Sequence, residues 1–242
     1  MPDPGSDPTR FILVQPSHAG NVGAAARALK VMGFCDLVLV RPRHADTLVR
    51  EEAVAMASGA ADVLARARVV DTLVQALDGI THACATAMTP RDFGPPTFAP
   101  REHCAALAAS AHRVAFVFGP ERTGLANEDV YRCHACLSIP AHPDYGSLNL
   151  AQAVQLVAYD WRLARGGYTV TPRTPDATLA DCVAVQGLID HWAQVLVGAG
   201  FLDPAAPKKL LPRLQQLALR AQLSAEEVHI LRGIARAVAR RH

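Results

Sequence analysis

Residues 114–165 read VAFVFGPERTGLANEDVYRCHACLSIPAHPDYGSLNLAQAVQLVAYDWRLAR, and this stretch decides the fold. Its first five residues, VAFVF, form an uninterrupted apolar run, the pattern of a strand buried between two helical layers. GPERTGL follows at once, and a second loop, IPAHPDYGS, follows another short apolar run. That second loop opens into a helix whose predicted apolar face is Leu148, Leu150, Ala151, Val154, Leu156, Val157 and Trp161, with Ser147 as the expected N-cap. In an open α/β sheet, ligands sit outside the carboxyl ends of the strands. The two loops are therefore expected to line one crevice.

Toward the N-terminus, FILVQ (11–15) and DLVLVR (36–41) read as strands flanking a loop and a helix that ends at Gly33. The loop at 18–23 lacks G-x-G-x-x-G spacing, so no dinucleotide site is expected there. Residues 50–65 read as one helix, Asp71 as the cap of another reaching Leu77, and THACATA (81–87) as a small-residue strand. Pro90, Pro95, Pro96 and Pro100 make 88–100 a loop, and 101–111 returns as helix. This alternation predicts an α/β fold, a mostly parallel sheet with helices on both faces. Residues 1–9, MPDPGSDPT, are expected to fray.

Toward the C-terminus, GGYTVTPRTPD (166–176) breaks the helical pattern and reads as a linker. Three helical stretches follow, 178–197, 208–221 and 224–241, the last with a capping box of Ser224 and Glu227. The expected organisation is an α/β domain over 10–165, a linker over 166–176 and a small all-α extension over 177–242.

A chain of 242 residues, 50% of them hydrophobic, can bury one substantial core. It holds no uninterrupted apolar run of about 18 residues, so no membrane span is expected. The net charge of +2 conceals an asymmetry. Residues 204–242 carry eight Lys/Arg against two acids, whereas 1–203 carry sixteen against twenty. A basic tail on an acidic body suggests a polyanionic partner. The six cysteines lie mostly in apolar runs with no signal peptide ahead of them, which predicts buried thiols in a reducing cytoplasm. Cys133 and Cys136 form a C-x-x-C, but no second pair stands at zinc-site spacing, so no metal is expected.

Three blocks stand out together: NVGAAAR at 21–27, FGPERTGL at 118–125, and the run from Ile139 through SLNLAQAVQLVAYD to Asp160. In order, spacing and content they resemble the three motifs of the SPOUT methyltransferases, in the branch that methylates ribose 2′-hydroxyls of RNA with S-adenosylmethionine. The SHAGN start, the SLNLA block and the helical extension are most similar to the TrmJ-type tRNA (cytidine/uridine-2′-O)-methyltransferases. The resemblance implies a C-terminal trefoil knot holding the methyl donor, a homodimer whose sites are each completed by the other subunit, and tRNA as partner. It implies a cytidine or uridine at anticodon-loop position 32 as target. A ribosomal RNA 2′-O-methyltransferase is the alternative within the same chemistry, and a catalytically silent RNA-binding protein is the alternative outside it.

By the same resemblance the donor site comprises Thr86, Ala87, Gly119, Glu121, Ile139, Ser147 and Leu148, and the catalytic set comprises Asn21, Arg27, Ser147 and Asn149. Gly119 and Gly124 let backbone approach a ligand closely or take positive φ. Glu121 either touches the ligand or braces its own loop or the subunit interface. Ser147 caps its helix and could also touch donor or ribose, whereas Asn149, an amide in an otherwise apolar helical face, would demand several partners if buried. Some accounts of the family make the arginine a general base. A guanidinium keeps its proton, so Arg27 is better suited to hold a phosphate and stabilise developing alkoxide charge. For RNA, the expected contacts are Arg91 and the tail residues Lys208, Lys209, Arg213 and Arg220, with Arg232, Arg236, Arg240 and Arg241 beyond them. The sequence departs from the family at Gly146, where a serine is common.

Overall fold

The computed structural model describes residues 7–88, 91–171 and 177–240. Contacts divide the chain between Thr169 and Val170 into two compact units. In the first, the elements follow in the order β1 (Arg10–Val14), α1 (Ala19–Val31), β2 (Asp36–Val40), α2 (Glu51–Ala57), α3 (Ala61–Arg66), β3 (Arg68–Val70), α4 (Leu73–Ala76), β4 (His82–Thr86) and β5 (Thr97–Phe98). They continue with α5 (Pro100–Ala108), β6 (Val114–Phe118), α6 (Asn127–Val130), β7 (Ala135–Leu137) and α7 (Leu150–Ala164).

The seven strands form one sheet in the order β3-β2-β1-β6-β4-β7-β5, and each neighbouring pair is parallel. Alternation along the central strands divides the core in two, because successive side chains point to opposite faces. Phe11, Leu13, Phe116 and Phe118 pack with α1, α5 and α7, whereas Ile12, Val14, Ala115 and Val117 pack with α4 and α6. Both faces are covered, which is why these strands carry unbroken apolar runs. Small residues in the first motif block serve this packing. A Cβ at Gly23 would collide with the backbone carbonyl of Ala53, so the glycine allows α1 to approach α2 closely.

Several sequence expectations are corrected. Residues 50–65 form not one helix but two, separated by a 3-10 turn over Ser58–Ala60 in which Ser58 takes φ 52°. The cap before α4 is Thr72, whose hydroxyl accepts from Gln75 N, rather than Asp71. The proline-rich segment contains β5, and Pro100 opens α5 at a position where a missing N–H costs nothing. Pro90 lies outside the described residues. Residues 1–6 of the leader lie outside the described residues, and its last part is held rather than frayed: the Thr9 hydroxyl accepts a buried 2.7 Å bond from Trp161 Nε1, and Asp7 lies 3.5 Å from Arg165.

Gly166 and Gly167 close α7 with positive φ, donating to Leu163 and Arg162 carbonyls. Residues 168–171 of the expected linker form no helix or strand, and 172–176 lie outside the described residues.

The second unit holds α8 (Cys182–Gly198), α9 (Leu210–Ala221) and α10 (Ala225–Ala239) around a small core of Val185, Leu188, Ile189, Ala218 and Val228. The reciprocal capping box of Ser224 and Glu227 opens α10. A single antiparallel bridge, Leu179 with Ser224, joins the start of the unit to that cap. No described helix is long and apolar enough to cross a membrane.

Candidate active site

Strands β6, β4 and β7 are neighbours in the sheet and run parallel, so the loops leaving their carboxyl ends meet. They enclose an open crevice of about 290 Å³. All seven residues expected at the donor site line it: Thr86 and Ala87 after β4, Gly119 and Glu121 after β6, and Ile139, Ser147 and Leu148 after β7. Arg91 lines it as well.

The two glycines of the β6 loop act differently. A Cβ on Gly119 would strike the backbone of Gly124 and Leu125, so the loop can fold back on itself only there. Gly124 instead takes φ 68°, and its N–H donates to Pro120 O at 2.9 Å to close the turn.

Glu121 both braces and lines the crevice. Its carboxylate accepts from Ser17 Oγ at 2.6 Å, Ser17 N at 3.0 Å, His18 N at 3.3 Å and Asn21 Nδ2 at 2.9 Å. Burial alone would raise its pKa, but the bonds from Ser17 and Asn21 outweigh that and hold it at about 2. The acid is therefore charged at neutral pH and held by donors from Ser17, His18 and Asn21 at the start of the first motif loop.

That network continues. Asn21 Oδ1 accepts from Asn149 Nδ2 at 2.9 Å, and Asn149 Oδ1 accepts from Ala151 N at 2.9 Å. Asn149 is thus the N-cap of α7, completed reciprocally by Gln152, and Ser147 is not. The amide does not sit within an apolar helical face as the sequence suggested. It spends its oxygen on the helix end and its nitrogen on Asn21. The buried face of α7 is Leu150, Ala151, Val154, Val157, Ala158 and Trp161, leaving Leu148 and Leu156 exposed. Ser147 is exposed at the crevice, free of capping duty.

The structure thereby brings together Asn21, Glu121 and Asn149, but Arg27 stands apart. It lies six residues beyond Asn21 on α1, about 9 Å along the axis, is exposed, and does not line the crevice. It makes no ion pair among the described residues. Arg91 Nε is buried with no hydrogen-bond partner among them.

Sequence reasoning missed Ser17, the strongest partner of Glu121. Its place at the head of SHAGN, three residues past β1, was the available local signal.

In the second unit, Lys209, Arg213 and Arg220 share one groove on α9 with Pro212, Gln216 and Leu217. Lys208 precedes the helix with φ 50° and does not line this groove. Arg232 is half-buried, its guanidinium near Gly187 of α8, so its cation is partly committed to packing within the unit. Arg236 and Arg240 are exposed, and Arg241 lies outside the described residues. Among the cysteines, burial pushes the Cys133 thiol up to about 12, and all six are free.

Comparison with known proteins shows the family of the chain. Residues 8–159 match the family model described as the SpoU rRNA Methylase family, and residues 183–242 match that of the tRNA methyltransferase TrmJ, C-terminal domain. A tRNA (cytidine/uridine-2′-O-)-methyltransferase TrmJ of Pectobacterium atrosepticum is 39% identical over 245 residues, covering 98% of each chain. A tRNA (cytidine/uridine/adenosine-2′-O-)-methyltransferase TrmJ of Pseudomonas aeruginosa is 40% identical over 94% of this chain and 92% of its own. The crystal structure of TrmJ from Z. mobilis superposes with a TM-score of 0.82 at 32% identity, covering 96% of this chain and 99% of that one.

Proposed function

The chain belongs to the SpoU methylase family, and from that premise we propose that it transfers a methyl group from S-adenosylmethionine to a ribose 2′-hydroxyl of tRNA, at a cytidine or uridine in position 32 of the anticodon loop. The observation that carries this reading is the meeting of the second and third motif blocks with the β4 loop around one crevice at the carboxyl ends of β4, β6 and β7, while the first block is tied to both through the Asn21 bonds to Glu121 and Asn149. The mixed lining suits a nucleoside-bearing donor: backbone exposed by Gly119 and Gly124, apolar Ile139, Leu137 and Leu148, and the Ser147 hydroxyl. The donor supplies an electrophilic methyl on a sulfonium. As the ribose oxygen forms its bond to that carbon, the carbon–sulfur bond breaks and the hydroxyl proton leaves to solvent or a nearby base.

Within this reading the chain's own residues position and stabilise. Glu121 holds the first motif loop against the β6 loop through Ser17 and Asn21, and Asn149 ties α7 to the same point. Ser147 is left to contact donor or ribose. Arg27 is directed to the substrate phosphate and the developing alkoxide, where fixed positive charge lowers the barrier.

Because Arg27 does not line the crevice of its own chain, we assign it to the site of a second subunit in a homodimer. Leu156, Tyr159 and Leu163 offer an exposed apolar stripe on α7 for that association, and a knot threading the segment around β7 fits the same assembly. In the tail, Lys209, Arg213 and Arg220 supply phosphate contacts that position tRNA without reading its sequence. A pyrimidine splayed from the anticodon loop then enters the crevice.

Incubation with total tRNA and methyl-labelled donor, followed by nucleoside mass spectrometry, tests the proposal. Label in 2′-O-methylcytidine and 2′-O-methyluridine is expected, and none in tRNA carrying 2′-deoxyribose at position 32. Label on a base, or in ribosomal RNA alone, would overturn it.

A further inference from the structure

The amino end of β4, about 13 Å along the strand from Thr86, carries a second cluster unrelated to the crevice. His82 and Cys84 are two residues apart on β4 and project from the same face of the sheet. Helix α5 contributes His103, and the ligand atoms of His82, Cys84 and His103 all lie within 4.8 Å of one another. C-x-x-C spacing gave no hint of this, because the three come from a strand and a helix and include neither Cys133 nor Cys136.

The nitrogen spacing suits a shared metal. His82 Nε2 and His103 Nε2 are 3.3 Å apart, close enough to hydrogen-bond directly when no ion stands between them. Two nitrogens each about 2.05 Å from a tetrahedral zinc stand roughly 3.3 Å apart. The surroundings hold the rings in place. Phe98 stacks on His103 with centroids 4.7 Å apart, and His134 stacks on His82 at 4.9 Å. His134 Nδ1 in turn accepts the Ala83 N–H at 3.1 Å, fixing that ring from the backbone. Cys84 is fully buried, with a free thiol.

We infer that His82, Cys84 and His103 form a three-ligand zinc site, with water in the open fourth position. Two imidazoles and one thiolate are the donor set zinc favours over magnesium or calcium. The imidazoles offer lone pairs, while the Cys84 thiol loses its proton to solvent as the zinc–sulfur bond forms, with no change of oxidation state. The cation supplies the compensating charge that a thiolate buried in this core otherwise lacks. Bound there, zinc clamps β4 to α5 across the sheet face, at a distance from the methyl-transfer crevice.

Cobalt(II) titration of the tag-free, metal-stripped full chain tests the site. The expected result is one Co²⁺ per chain with tetrahedral d–d bands and a thiolate-to-cobalt charge-transfer band, both displaced by Zn²⁺. Cys84→Ser should lose the charge-transfer band. His103→Gln, at a half-buried helix position that leaves the core thiol in place, should lower Zn²⁺ affinity by at least the roughly 10–100-fold that loss of even an outer-shell partner costs. Cys182→Ser, at an exposed thiol of the other unit, should change neither. A missing charge-transfer band at stoichiometric Co²⁺, undiminished affinity in His103→Gln, or loss of the band in Cys182→Ser would each overturn the inference. Circular dichroism distinguishes a lost ligand from a lost fold, and His103→Gln decides the matter should Cys84→Ser fail to fold.

Discussion

In the α/β unit, side chains a hundred residues or more apart hold one another through directed bonds, Asn149 to Asn21 and Asn21 to Glu121. In the tail, Lys209, Arg213 and Arg220 line one face of α9 with no ion pair among the described residues. The contrast separates two ways of building function. A relay depends on each member, so one substitution should break it, whereas a charged face is a sum to which each cation adds a similar share.

The largest effect is expected at Arg27, which neither relay nor crevice explains. Arg27→Ala should lower kcat by roughly 10²–10³-fold, the cost of removing one stabiliser of developing charge, while donor affinity is unchanged. Arg27→Lys should rescue little, because an ammonium does not reproduce a planar fork. Single-turnover kinetics beside donor titration checks both, and near-normal turnover in Arg27→Ala would remove the residue from the chemistry.

On the tail, the combined change of Lys209, Arg213 and Arg220 to alanine should weaken tRNA binding and reduce the salt slope of log affinity by about 3, one for each phosphate contact. Filter binding across a salt series reads this directly. Loss of the whole effect through one substitution would show that α9 works as a relay after all.

Asn149 sharpens the same comparison within the α/β unit. Asn149→Ala should cost about 1 kcal/mol as a lost cap. Asn149→Ser should recover most of that stability, since serine also caps, yet leave Asn21 without its donor. If the relay positions the first motif loop, Asn149→Ser remains impaired in turnover while denaturing like the parent.

The smallest effect is a pH dependence. The folded-state pKa of Glu121, about 2, lies below its ordinary 4.5, so its contribution to stability is fully present above about 4.5 and fades as pH falls toward 2. Urea denaturation should therefore show Glu121→Gln less stable than the parent at pH 7, with the gap narrowing below pH 4.5. A gap that widens on acidification would contradict the bracing role.

What the sequence disclosed follows physical rules. The apolar runs FILV and VAFVF announced their strands because burial on both faces demands unbroken apolar runs. Strands β3 and β5, of three and two residues, are too short for any pattern to register, β7 showed only as a short apolar run, and the sheet order was not readable from them. Glycine positions at the crevice were legible, since only glycine fits the backbone contact at Gly119 and the φ at Gly124. The partners of Glu121 were not, because hydrogen bonds between residues 17, 21, 121 and 149 leave no local spacing. The same is true of His82 and His103. Serine caps well, which makes Ser147 a good α7 cap by sequence; Asn149, equally good and two residues nearer the first buried turn, holds that place instead.

The division of labour between the two units is tested most directly by a chain ending at Thr169, where the contacts divide. Its S-adenosylmethionine affinity and its turnover on tRNA are measured beside those of the full chain, by calorimetry and by methyl incorporation. The account predicts unchanged donor affinity, because every residue lining the crevice is retained, together with collapse of tRNA binding and turnover. Full tRNA turnover by the shortened chain, or loss of donor binding with its fold intact, would contradict it.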